Sequence, residues 1–218
     1  MSPASLAGRR LVVSAGPTYE DIDPVRYVGN RSSGRMGFAI AAAAARRGAD
    51  TVLVAGPVHL ATPRGVQRID VRSAAQLRDA VLASLPAHAY IGAAAVADWT
   101  PRAPAPGKLK KRPGQDTLQL DLVRTPDVLA EVAAHPARPT LVVGFAAETE
   151  DVEANARAKR VAKGVDLVAG NLVGVAGSGF ESERNALVVV ACDGTHAFGP
   201  DDKDALAERL LDLIATRL

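Results

Sequence analysis

Four short runs in this chain are apolar almost throughout rather than at alternate positions: LVVS (Leu11–Ser14), DTVLVA (Asp50–Ala55), YIGAAAVA (Tyr90–Ala97) and LVVGFAA (Leu141–Ala147). A strand that is apolar on successive residues needs cover on both faces. The segments between these runs carry a helical period. Met36–Arg47 sets Met36, Ile40, Ala43 and Ala44 on one side and stops at Gly48. Ser73–Leu85 opens with the capping pair Ser73 and Gln76, turns Leu77, Val81 and Leu85 inward, and stops before Pro86. Strands alternating with helices through right-handed crossovers predict an α/β fold: a doubly wound, mostly parallel, Rossmann-like sheet with helices on both faces.

The rest of the chain extends that pattern. Leu118, Leu120 and Leu122 alternate with polar residues and predict a one-sided strand. Thr125, Pro126 and Asp127 read as cap, first-turn proline and first-turn acid of a helix through Ala134. Thr149 caps a helix over Glu150–Lys163, Asp166–Ala169 is a strand, and Ala186–Ala191 with Thr195–Phe198 forms a C-terminal hairpin before a last helix over Asp202–Arg217. No linker or repeat divides the 218 residues, so a single domain over 1–218 is expected.

Aromatic residues make up only 4%, so the core must be aliphatic. A net charge of +2 gives no basis for binding nucleic acid or a membrane surface, and any basic site must be local. The single cysteine, Cys192, lies in an apolar run and reads as a small buried hydrophobe, which fits a reducing compartment. No run is long enough to span a bilayer and the start has no signal-peptide pattern, so a soluble, cytoplasmic protein is expected.

Ligands of doubly wound sheets bind beyond the carboxyl ends of the strands, which makes the residues after LVVS, YIGAAAVA and LVVGFAA the candidates. RYVGNRSSGRMG (Arg26–Gly37) puts Ser32, Ser33 and Gly34 at a predicted helix start, where free N–H groups favour an anion, with Arg26 and Arg31 adding charge. It reads equally as a solvated loop with a capping serine. The first strand is not followed by GxGxxG and the second ends in Ala-Gly-Pro without an acid, so NAD is disfavoured. Asp98 stands past a strand end, where a carboxylate can accept from a ribose or a base, or hold a metal. Pro101–Gly114 lacks any apolar period and gathers Lys108, Lys110, Lys111 and Arg112. It is either a flexible basic lid for a polyphosphate or a solvated charge run. Phe145 either stacks on a base or packs in the core. Lys159 and Lys163 share a helix face. The histidines His59, His88, His135 and His196 show no metal-ligand spacing, and no GxSxG or Cys/His constellation suggests a covalent hydrolase.

Three segments in order, AGPTYEDIDPVRYVGNRSSGRMGFAIA, AAAVADW with GKLKK, and VGFAAET with AKRVAKGVDLV, resemble bacterial phosphopantothenoylcysteine synthetase. That family is the phosphopantothenate–cysteine ligase of coenzyme A biosynthesis, and the resemblance covers almost the whole chain. It implies CTP-dependent ligation: the carboxylate of 4′-phosphopantothenate attacks the α-phosphate of CTP, pyrophosphate leaves, and the cysteine amine displaces CMP from the acyl-cytidylate. It implies a nucleotide site of Gly92, Ala93, Ala94, Asp98, Lys108, Pro126, Asp127, Val128, Leu129, Phe145, Lys159 and Lys163. Lys108 and Asn30 would be catalytic, and Arg26, Asn30 and Ala95 would hold the phosphopantothenate side. Magnesium would accompany CTP with ligands unassigned, Asp98 being the nearest candidate. The family forms homodimers in which the lysine loop reaches the neighbouring subunit's site. Two departures stand out: Arg35 replaces the usual lysine, and VAGNLV (168–173) stands where the family commonly has an Asn-Asp pair. Many relatives are fused behind a flavin-dependent decarboxylase. The chain is therefore expected to be either a free-standing synthetase or an excised part of such a decarboxylase–synthetase fusion.

Overall fold

The computed structural model describes residues 5–111, 113–173 and 184–218. Its first half comprises β1 (Arg10–Ala15), β2 (Tyr19–Asp21), β3 (Tyr27–Gly29), α1 (Arg35–Arg46), β4 (Asp50–Ala55), β5 (Val66–Asp70), α2 (Ala74–Ala83) and β6 (Ala89–Gly92). Its second half comprises β7 (Trp99–Pro101), β8 (Leu122–Arg124), α3 (Val128–Ala133), β9 (Leu141–Glu148), α4 (Val152–Lys163), β10 (Leu167–Leu172), β11 (Arg184–Val190), β12 (Thr195–Asp202) and α5 (Lys203–Ala215). Eight strands form the central sheet in the order β12-β11-β10-β9-β6-β1-β4-β5. The six from β10 to β5 run parallel, and β11 and β12 close one edge as an antiparallel hairpin. From β1 the chain builds outward through β4 and β5, then returns to β6 and builds the other way. The switch point between β1 and β6 is where such sheets open a crevice for ligands.

Alternate residues of the parallel strands feed two separate cores. Leu11, Val13, Leu53, Ala89, Ile91, Leu141 and Val143 pack under α1 and α5. Val12, Val52, Val54, Tyr90 and Val142 pack under α2, α3 and α4. This is the burial that strands apolar at successive positions demand. Helix α1 lies unusually close to β1: a Cβ on Gly37 would stand 2.5 Å from the Ala15 Cβ, so only glycine allows this seat. The buried Arg47 joins α1 to α5 through Glu208 and Asp212, at 2.6 and 2.8 Å.

Several expectations need correction. The third apolar run is a strand only to Gly92. Beyond it the backbone leaves the sheet and bonds to the end of β1 and the residue after it, with Ala93 N–H donating to the Ser14 carbonyl (3.0 Å) and Ala95 N–H to that of Gly16 (2.9 Å). Ala93–Ala97 is thus apolar because it packs across the strand ends. Leu118 and Leu120 are exposed and outside any strand; only Leu122–Arg124 pairs, with β7. Thr125 is not the cap of α3, because its hydroxyl donates to the Ala97 carbonyl (2.6 Å) while Asp127 Oδ1 accepts from Ala130 N–H (3.1 Å). Thr149 does not cap α4 either: β9 continues to Glu148, and the cap residue is Asp151, in a left-handed conformation with φ of 46°. Cys192 is exposed at the turn of the β11–β12 hairpin rather than buried, since the apolar run ends at Ala191. The hairpin β2–β3 and strand β5 were not anticipated, because Tyr-Glu-Asp, Tyr-Val-Gly and Val-Gln-Arg-Ile-Asp carry too few apolar positions to show a period.

Candidate active site

The carboxyl ends of β1, β6, β9 and β10 form the floor of a cleft of about 850 Å³. Ser14, Gly92, Phe145, Ala147 and Asn171 contribute from those strands, and residues from Asn30 to Gly37 form one wall. At the base, the hydroxyls of Ser14 and Tyr90 lie 3.0 Å apart. Burial pushes the Tyr90 phenol up to about 12, so it stays protonated.

The wall opposite is stitched together by threonines and an asparagine. Thr18 Oγ1 accepts from Ala97 N–H (3.0 Å), and Thr125 holds the Ala97 carbonyl from the other side. Asn30 Nδ2 donates to the Val96 carbonyl at 3.0 Å, so its amide is set across the cleft against the Ala93–Asp98 segment. The first helical wall begins with Gly34, whose φ of 75° turns the chain into α1 without a side-chain cap. The amides at this helix start are left for water or an anion.

Two lysines of α4 reach the cleft beside Phe145 and Asp127. Lys159 Nζ donates to the Phe145 carbonyl (2.7 Å), and Lys163 pairs with Asp127. Burial pulls the Lys159 ammonium below the usual lysine range, with Lys163 adding to the effect; Glu148, Asp127 and Asp98 oppose it. Burial disfavours the Asp127 charge, but Lys163 and the Ala130 N–H outweigh it and hold the carboxyl below its ordinary value. Phe145 is half-buried: it packs against the α1–α5 core and also lines the cleft. Among the described residues, the charged ones lining the cleft are Arg31, Arg35, Arg124, Lys159, Lys163 and Lys203 against Asp98 and Asp127, six cations to two carboxylates. In a chain of net charge +2 this is a strong local excess, and it suits a polyanionic ligand.

The sequence-derived site is therefore largely one place. Asn30, Gly92, Ala93, Ala94, Ala95, Asp98, Pro126, Asp127, Val128, Leu129, Phe145, Lys159 and Lys163 all line the cleft. Arg26 and Lys108 do not; Arg26 pairs with Asp23 and donates to the Leu109 carbonyl (2.8 Å), and Lys108 is exposed on the loop between β7 and β8. Arg112 of the basic run lies outside the described residues. Sequence reasoning did not single out Asn171, Asn185 and Lys203, all buried and all in the cleft lining. Asn171 lies at the carboxyl end of the parallel strand β10, one residue before its last, so the strand-end rule applied to Asp166–Ala169 would have found it. Asn185 and Lys203 come from the antiparallel edge and the last helix, where no such rule points. Of the departing VAGNLV segment, Asn171 and Val173 line the cleft while Leu172 does not.

The model of the DNA/pantothenate metabolism flavoprotein C-terminal domain matches residues 6–218. The coenzyme A biosynthesis bifunctional protein CoaBC of Vibrio cholerae serotype O1 is 49% identical over 214 residues, covering 98% of this chain and 54% of that protein. The chain thus spans about half the length of this relative. The crystal structure of the C-terminal domain of a CoaBC protein has a TM-score of 0.81 at 32% identity, over 99% of this chain and 97% of that one. A Cab2 variant in complex with phosphopantothenate-cysteine shares the fold, with a TM-score of 0.76 at 16% identity over 96% of this chain and 86% of that one. Matched along all of its described elements, the chain belongs to the family of the DNA/pantothenate metabolism flavoprotein C-terminal domain.

Proposed function

We propose that this chain joins 4′-phosphopantothenate to L-cysteine at the expense of CTP, through an acyl-cytidylate, releasing pyrophosphate and then CMP. The observation that carries the reading is the cationic cleft at the β1–β6 switch point, lined by Asn30, Asp98, Phe145, Lys159 and Lys163. The names of its relatives, a bifunctional protein of coenzyme A biosynthesis and a structure holding phosphopantothenate-cysteine, support the same chemistry.

A carboxylate is a poor acyl donor until one of its oxygens belongs to a phosphate leaving group. Its attack on the α-phosphate of CTP supplies that, and no protein nucleophile is needed. Lys159 and Lys163 would neutralise the nucleotide, and Asp98 would accept from its ribose or base. Asn30, already fixed through Nδ2, would present the rest of its amide to the pantothenoyl group and orient the activated carbonyl for the cysteine amine. Magnesium bound to nucleotide takes most of its ligands from phosphates and water. A cleft with Asp98 as a carboxylate in no ion pair among the described residues, and Asp127 engaged by Lys163, fits that mode. When bound, the ion would add positive charge to the leaving pyrophosphate.

Lys108 stands outside the cleft of its own chain, so its part in stabilising that leaving group calls for a second copy. Val25, Tyr27, Trp99, Leu118 and Leu120 are exposed on or beside the small sheets β2–β3 and β7–β8, an apolar surface suited to a homodimer. The test supplies phosphopantothenate, cysteine and magnesium, and compares pyrophosphate release with CTP and ATP. Release dependent on phosphopantothenate and faster with CTP is expected. Absence of release with both nucleotides refutes the ligase; preference for ATP refutes the cytosine assignment alone.

A further inference from the structure

The hairpin β2–β3 turns at Asp23, whose side chain is fully buried although the hairpin tip is exposed around it. Its two carboxylate oxygens do different work. Oδ1 accepts from the N–H groups of Val25 (2.8 Å) and Arg26 (2.9 Å) and shapes the turn itself. Oδ2 accepts from the Arg26 guanidinium and from the N–H of Leu109 (3.0 Å), far along the chain in the basic loop. The same Arg26 guanidinium donates to the Leu109 carbonyl at 2.8 Å. Leu109 is thus held by both its donor and its acceptor, and a second bond, Ala105 N–H to the Ile22 carbonyl (2.9 Å), ties the loop to the hairpin upstream. Lys108 lies between these two anchors and directly precedes the gripped peptide.

We infer that Asp23 is a positioning residue: with Arg26 it clamps the Leu109 peptide and so fixes where the Lys108 ammonium stands. A turn needs only Oδ1. The carboxylate's second oxygen and the arginine together spend four bonds, two on the loop backbone and two on each other, which suits a loop that must present a cation at a defined point. Charge-assisted bonds are stronger than neutral ones, and here the carboxylate that accepts them is buried while the arginine is partly exposed. A long basic loop without secondary structure would otherwise leave its lysine with wide freedom. The inference rests on Lys108 serving the activation step, and it gives Arg26 work on the loop.

Asp23→Asn separates the two roles, because the amide keeps an oxygen for the turn but puts an NH₂, which cannot accept, against Arg26 and Leu109. Misplacing a catalytic group by an ångström costs up to about a hundredfold, so pyrophosphate release in a single turnover should slow at least about tenfold in D23N. In a Lys108→Gln background the same change should add nothing, since the lysine it positions is gone. Trypsin, which cuts after Lys108 and Lys110, should cleave the D23N loop several times faster than wild type, with no ligase chemistry involved. Leu109→Pro removes the gripped N–H without touching the hairpin; if D23N folds poorly, it should reproduce the slowed release and speed cleavage after Lys110, the bond after Lys108 being closed to trypsin by the proline. A loss in D23N that is equal with and without Lys108, or unchanged rate and cleavage in both variants, overturns the inference. A wild-type protein that releases no pyrophosphate but shows the cleavage difference would reject the ligase reading and leave the clamp standing.

Discussion

In the proposed function, Lys159 would meet the nucleotide's phosphates. Its ammonium is partly withdrawn from water and sits near Lys163, and both effects favour losing the proton. The native state therefore releases that proton at lower pH than the unfolded chain, whose lysine titrates near about 10.4. Between the two values the unfolded state binds more protons, so the group's contribution to stability rises with pH. Nucleotide affinity should move the opposite way, because only the protonated form attracts a polyphosphate. CTP binding measured by calorimetry across alkaline pH should weaken before the ordinary lysine range, and Lys159→Met should remove that limb. Binding that stays flat through this range would show that Lys159 does not face the phosphates. The pair Lys159 and Lys163 was legible from spacing alone, whereas their partners, the Phe145 carbonyl and Asp127, depend on tertiary contact.

At the scale of elements, α1 is both a core helix and a wall of the cleft. Its close seat on β1 depends on Gly37, and a methyl group there would have to displace the helix from Ala15. Gly37→Ala should cost about 1–3 kcal/mol by overpacking, a cost that denaturant unfolding would show. It should also raise the KM for substrate, because the residues preceding α1 line the cleft. Unchanged stability would mean that the helix can shift freely on the sheet. The sequence made α1 and α2 readable through a clear helical period, and β4 and β9 through unbroken apolar runs. Caps were harder: Thr125 and Asp127 both suit an N-terminus, and only the Ala97 carbonyl decides between them. The tyrosine-rich hairpin β2–β3 is held by stacking of Tyr19 on Tyr27, at 3.8 Å, rather than by a buried apolar face, and so left no periodic signal.

On the scale of the whole molecule, a doubly wound sheet gathers its strand ends at one switch point, and this chain uses that point for its cationic cleft. The fold class follows from the apolar runs. The place of the site follows from the fold. Neither pattern nor spacing could show that Arg26 and Lys108 stand apart from the cleft, since that depends on how an aperiodic loop lies against a hairpin. Nor could the terminal elements be recognised as contributors, because Asn185 and Lys203 reach the cleft only through the antiparallel closure of the sheet. The central claim is that the cleft activates a carboxylate by joining it to the α-phosphate of CTP. Phosphopantothenate labelled with heavy oxygen in its carboxylate tests this directly, with mass spectrometry of the nucleotide and phosphate products. One labelled oxygen in CMP and none in pyrophosphate is the predicted result; label-free CMP would contradict the account.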